Sequence, residues 1–100
     1  VWEPILPTDF SAPTTWALRR ASDRRVQQYW DPGHGVAKQM AVDARPPQPE
    51  QECCTYSGTL WDLAAVYPRD ARWEERMPIA TVFDGPVVNL REAIKSALSR

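Results

Sequence analysis

The chain has 100 residues, 43% of them apolar, with 12 Lys+Arg against 13 Asp+Glu for a net charge of −1. That length fits one domain, and the composition excludes a membrane span, a collagen-like repeat and a wholly disordered chain. Balanced charge argues against a nucleic-acid partner, while 10 prolines, 5 tryptophans and 4 glycines promise short segments around large rings.

Val1, not Met, stands first, so the sequence is expected to start downstream of a natural start. No basic stretch followed by an apolar run marks a signal peptide. Residues 1–6 (VWEPIL) predict a short strand, at a sheet edge because Pro4 has no N–H for a ladder bond. Pro7, Thr8 and Asp9 supply the turn that ends it. Ser11 as N-cap and Pro13 in the first turn then predict a helix. Trp16, Ala17, Leu18 and Ala21 form its apolar side, and Arg19 and Arg20 suit its negative pole. After the polar break at residues 23–25, residues 25–30 (RVQQYW) read as a strand.

Asp31 followed by Pro32 is a helix start, with Asp as N-cap and Pro at the first helical position. Val36, Ala37, Met40 and Ala41 make one helical face. Residues 43–58 carry no periodicity and include the Pro-rich run RPPQPEQE, which predicts an exposed extended loop. Residues 59–67 (TLWDLAAVY) read as a buried strand stopped by Pro68. Trp61, Leu63, Ala65 and Tyr67 would share one face, and Leu60, Asp62, Ala64 and Val66 the other. Residues 71–77 form a charged connection with Trp73, and residues 79–83 (IATVF) a second clear strand. Asn89 with Glu92 at the third helical position reads as a capping-box variant. Leu90, Ala93, Ile94, Ala97 and Leu98 then form the best amphipathic pattern in the chain.

The resulting order is β-α-β-α-β-β-α. Alternating helices and early strands imply right-handed parallel crossovers, and the two later strands an antiparallel hairpin. This is an α/β fold with a mixed sheet and flanking helices.

Chemistry-bearing residues are few. Cys53 and Cys54 are adjacent, and His34 is the only histidine, so one chain cannot supply a four-ligand Cys/His metal site. A disulfide between adjacent residues is rare, so the ordinary expectation is two reduced thiols, or two thiols paired elsewhere, near the end of a loop. A redox or metal–thiolate role is the sharper alternative. His34, between two glycines, reads as a solvated helix-start residue without a relay partner. Asp62 is expected to face solvent or pair with an arginine, and Asp9 to serve a turn or a cap. The tryptophans are expected mostly in the core, Trp2 and Trp73 being the better candidates for a partner surface. Arg19–Arg20 and Arg24–Arg25 read as solvated faces, and no glycine-rich phosphate loop is present.

The order of elements resembles the thioredoxin-like superfamily, and residues 26–98 resemble its thiol-disulfide reductase and peroxiredoxin-like branch. A strand over 26–30 runs into Asp31-Pro32, then a helix with Val36, Ala37 and Lys38, then a connection. Residues 60–67 and 79–83 would form the hairpin and residues 90–98 the closing helix. Members of that family work through a Cys-x-x-Cys, or a single reactive Cys, at a helix start, where the dipole favours the thiolate. Neither predicted helix start here holds a Cys. Residues 1–6 would either follow the family's cysteine-bearing strand and helix, which would then lie upstream of Val1, or correspond to that strand itself with its cysteines lost; the β-α-β before Asp31-Pro32 and Pro4 on an edge strand favour the first. The family's cis-Pro position reads Ser57-Gly58-Thr59 here.

Two functions follow. The first is a non-catalytic thioredoxin-like module that binds a protein partner or a second copy of itself, since a missing first strand leaves a sheet edge to cover. The second is a thiol-disulfide oxidoreductase whose catalytic residue is Cys53 or Cys54, or the remnant of one. Neither calls for a cofactor, a metal, nucleic acid or a membrane span.

Overall fold

The computed structural model describes residues 1–4, 11–51 and 53–99. The predicted turn residue Asp9 and the last two residues of the predicted first strand lie outside them. The backbone divides into two compact units, Val1–Val36 and Ala37–Arg100.

In the first unit, the described residues of the predicted strands over 1–6 and 25–30 form one parallel bridge, between Trp2 and Trp30. Trp2 N–H donates to the Tyr29 carbonyl at 2.7 Å, and Asp31 N–H to the Trp2 carbonyl at 2.7 Å. Pro4 cannot donate to a ladder, and residues 25–30 lack the alternation that would give a sheet a buried face. The first helix, α1 (Thr15–Leu18), is shorter than expected and continues as a 3-10 turn over Arg19–Ala21. Its cap is Thr14, not Ser11: the Thr14 hydroxyl accepts the Ala17 N–H at 3.3 Å. Gln28 closes the other end, donating to the Leu18 carbonyl at 2.8 Å while accepting from the Trp2 indole at 2.8 Å. One side chain thus satisfies helix-end carbonyls and fixes the N-terminal bridge.

Helix α2 (Gly35–Asp43) begins later than the Asp31-Pro32 step suggests. Asp31 still caps it, from further back: its two carboxylate oxygens accept Gly35 N–H at 2.8 Å and Val36 N–H at 3.0 Å. Both donors would otherwise be unpartnered, and the carboxylate sits at the positive pole. His34, at φ 56°, provides the left-handed residue that lets the chain turn between Pro32 and the helix.

The second unit holds the core. Leu60, Met77, Ala80 and Phe83 are buried together, with Met40, Ala41, Ala44, Leu63, Ala65 and Tyr67 packed against them. Phe83, 2% exposed, is its largest fully buried side chain. Residues 43–58 are not the wholly exposed loop of the sequence reading. Asp43 and Gln48 are buried and hold the chain at 77–80 in place of a strand. Asp43 accepts the Met77 N–H at 2.9 Å. Gln48 accepts the Ala80 N–H at 2.9 Å and donates to the Pro78 carbonyl at 2.8 Å and the Met77 carbonyl at 3.3 Å. The amide therefore pairs like a strand backbone, leaving few buried polar groups unpaired.

The expected strand over 59–67 is two strands. β1 (Thr55–Tyr56) and β2 (Thr59–Leu60) form an antiparallel hairpin, and β3 (Ala64–Val66) pairs antiparallel with β4 (Val82–Asp84). The β1–β2 turn is Ser57-Gly58 with φ 51° and 74°, two left-handed residues as a tight hairpin requires. The Ser57-Gly58-Thr59 stretch is thus a hairpin turn and its end. Asp62, at φ 49°, breaks the run between β2 and β3. That break changes the side-chain phase, so Leu60 joins Leu63, Ala65 and Tyr67 on the core, whereas an unbroken strand would place it opposite them. Of residues 79–83, Thr81 N–H donates to the Val66 carbonyl at 2.7 Å and β4 runs from Val82, while the Ala80 N–H is taken by Gln48.

A 3-10 turn (Val87–Asn89) leads into α3 (Arg91–Leu98). Leu90 stands at the N-cap with no side-chain cap, so the Asn89 capping box does not form. Leu90 is buried, and α3 packs on β3 and β4. Among the described residues, three α-helices combine with two small antiparallel sheets. Its X-Pro peptide bonds are cis at Pro46–Pro47 and Gly85–Pro86.

Candidate redox site

Cys53 and Cys54 stand immediately before β1 and are joined by a disulfide. Neither cysteine is free, which corrects the expectation of two reduced thiols. The covalent partner lies next door in the chain. The hairpin fixes the pair from one side, since Trp61 N–H donates to the Cys54 carbonyl at 2.9 Å and extends the β1–β2 pairing by one residue. Cys54 takes φ 92°, a conformation that costs an L-residue on the order of 1–3 kcal/mol and persists only where surrounding contacts over-determine it.

Those contacts come from two segments distant in sequence. Cys54 Sγ lies 3.6 Å from the carbonyl oxygen of Asp62. Gly85 packs so closely that a Cβ there would overlap both the Asp62 carbonyl oxygen and Cys54 Sγ, and would stand 3.1 Å from Cys53 Sγ. Glycine is needed at 85 because backbone and sulfur fill the space a side chain would take. Asp62 joins the segments: its carboxylate accepts the Val87 N–H at 3.2 Å. Asp62 is exposed, as expected, and this backbone donor is an additional partner. The two residues differ in exposure. Cys54 is 6% exposed, whereas Cys53 is half-buried.

The other sequence candidates fall elsewhere. His34 is not simply solvated: its Nδ1 lies 3.7 Å from a carboxylate oxygen of Glu3, and both side chains are largely buried. Burial raises the Glu3 carboxyl above its usual value, assisted by the Asp31 charge and opposed by His34 and the N-terminal ammonium. Glu3 was not a sequence candidate, since nothing in its local pattern marks it as buried. Trp16 and Trp61 are surface rings, against the expectation of a mostly core role, while Trp2 and Trp73 are exposed, as expected of the better surface candidates. Trp16 instead carries the Arg20 guanidinium 5.2 Å from its ring centre. Arg19, Arg20, Arg24 and Arg25 are exposed, and Arg25 pairs with Asp23 at 2.9 Å. That exposed pairing adds little stability.

Among the described residues, no three His, Cys, Asp or Glu side chains are grouped so as to hold a metal ion. No helix among them is long and apolar enough to cross a membrane. No family model, no curated protein and no solved structure matches the chain.

Proposed function

We propose that the chain is a thiol-disulfide module whose working group is the Cys53–Cys54 pair. The observation that supports this reading is the bonded pair itself, packed on Gly85 with Cys54 buried and Cys53 half-buried. The reaction is exchange with external thiols. The bonded pair takes up two electrons and two protons, and two thiols of the partner become a disulfide. On this reading the chain is a variant of the thioredoxin-like plan that works without a Cys-x-x-Cys.

Redox titration tests it. Protein equilibrated in glutathione buffers of graded ratio is quenched with acid, alkylated and weighed. The expected result is one two-electron transition that a Cys53→Ser variant lacks, with measurable insulin reduction by the wild type. Two permanently reduced thiols in oxidising buffer would overturn the reading. A second reading, a partner-binding module or homodimer without redox chemistry, is favoured by exposed rings such as Tyr56, 76% exposed on β1. Under it, a double Cys→Ser variant sediments as the same dimer as the wild type. A monomer at high concentration would count against the homodimer.

A further inference from the structure

Independently of the cysteine pair, we infer that the cleft between α1 and residues 22–28 binds a small anion carried on an apolar body, a carboxylate or a phosphate monoester. The cleft has a volume of about 400 Å³. Small-molecule sites span about 300–1,000 Å³ and combine apolar walls with a few polar groups. Here Leu18, Ala21 and Val26 supply the apolar lining, and Arg19 and Arg24 the charge.

That charge is left over after the local pairings are made. Four of the chain's 12 basic residues but one of its 13 acidic residues fall within 15–28, so this stretch carries +3 and the rest of the chain −4. The one acid, Asp23, also lines the cleft, but it is committed to Arg25. Its carboxylate accepts the Arg25 N–H at 2.8 Å, Nε at 3.0 Å and Nη2 at 2.9 Å. Arg20 lies over the Trp16 ring. Arg19 and Arg24 remain, and neither has an ion-pair partner among the described residues. Val26 N–H donates to the Asp23 carbonyl at 2.9 Å, closing a turn that presents Arg24 beside the cleft. The carbonyls of Leu18 and Ala21 stand at the negative end of the helical segment and would repel an anion. Both accept from the Gln28 amide, at 2.8 Å and 3.3 Å. A guanidinium fork matches the paired oxygens of a carboxylate or a phosphate, and the apolar lining takes the body that carries them.

Titration of the full chain with hexanoate, hexyl phosphate, hexanol and inorganic phosphate tests the assignment, read at the Leu18 and Val26 methyl resonances. The expected result is a saturable shift with a hexyl anion, at least roughly fivefold tighter than with hexanol or inorganic phosphate. The tighter of the two hexyl anions identifies the head group. Arg19→Gln and Arg24→Gln should each weaken that binding at least roughly threefold. Arg69→Gln, which removes an exposed charge from the second unit, should leave it unchanged. Raising the salt from about 0.01 M to 1 M shortens the Debye length from about 30 Å to 3 Å and should also weaken it. No saturable shift with either hexyl anion, equal affinity for hexanol or inorganic phosphate, or undiminished binding by the Arg19→Gln/Arg24→Gln double variant would overturn the inference.

Discussion

Replacing Gly85 with Ala tests whether the sulfur pair is packed as described. The added Cβ overlaps the Asp62 carbonyl oxygen and Cys54 Sγ. One of these is backbone, fixed by its neighbours, and the other is tied by the disulfide, so neither can swing away as a flexible side chain would. Inserting a methyl into a filled site costs about 1–3 kcal/mol, while the reduced freedom of the unfolded chain returns about 0.4–1 kcal/mol. The net loss is between about 0 and 2.6 kcal/mol, and at about 4–8 °C per kcal/mol for a chain of this size it lowers Tm by up to about 20 °C. Gly33→Ala is the control, because a Cβ at 33 meets no atom within 4 Å. Thermal unfolding followed by circular dichroism should show Gly33→Ala unchanged or slightly stabilised and Gly85→Ala clearly lowered. Equal midpoints for the two variants would refute the packing of Gly85 against Cys54 and Asp62.

Three further outcomes follow from the same contacts. Gln48→Ala leaves the Ala80 N–H and the Pro78 carbonyl without their partner, and should destabilise by about 1–3 kcal/mol in urea unfolding; a surface-like change under about 0.5 kcal/mol would deny the buried amide its role. Phe83→Ala should cost about 3–5 kcal/mol in the same assay, since Phe83 is the largest fully buried side chain of the core. Burial raises the folded-state pKa of Glu3 above 4.5, so the folded chain holds a proton that the unfolded chain has released. The Glu3 contribution is therefore fully present below the unfolded value and is lost as pH rises through the folded one. Relative to Glu3→Gln, the wild type should lose stability as pH rises through that window, and parallel profiles for the two would contradict the burial of the carboxyl.

What the sequence reveals is uneven, and the reasons are physical. The helix after Asp31 and the amphipathic run to Leu98 are local chemistry, and so is the Ser57-Gly58 turn. The strand over 59–67 fails because alternation cannot show a break at a non-glycine residue, and Asp62 makes that break in the left-handed region. Gln48 lies in a Pro-rich polar stretch whose composition suggests exposure. Its burial depends on Met77, Pro78 and Ala80, about thirty residues away. The cysteine pair was visible as two candidate residues, but not as a bonded site. Gly85 and Asp62 complete it from other segments, and only tertiary packing brings them to the sulfurs.

The central claim is that Cys53 and Cys54 form a reversible pair with each other. Intact mass after alkylation, with and without prior treatment by dithiothreitol, tests it most directly. The account predicts no label on the air-equilibrated monomer and two labels after reduction, with the unlabelled state restored by glutathione disulfide. Two labels before reduction, or a disulfide-linked dimer in place of the bonded monomer, would contradict it.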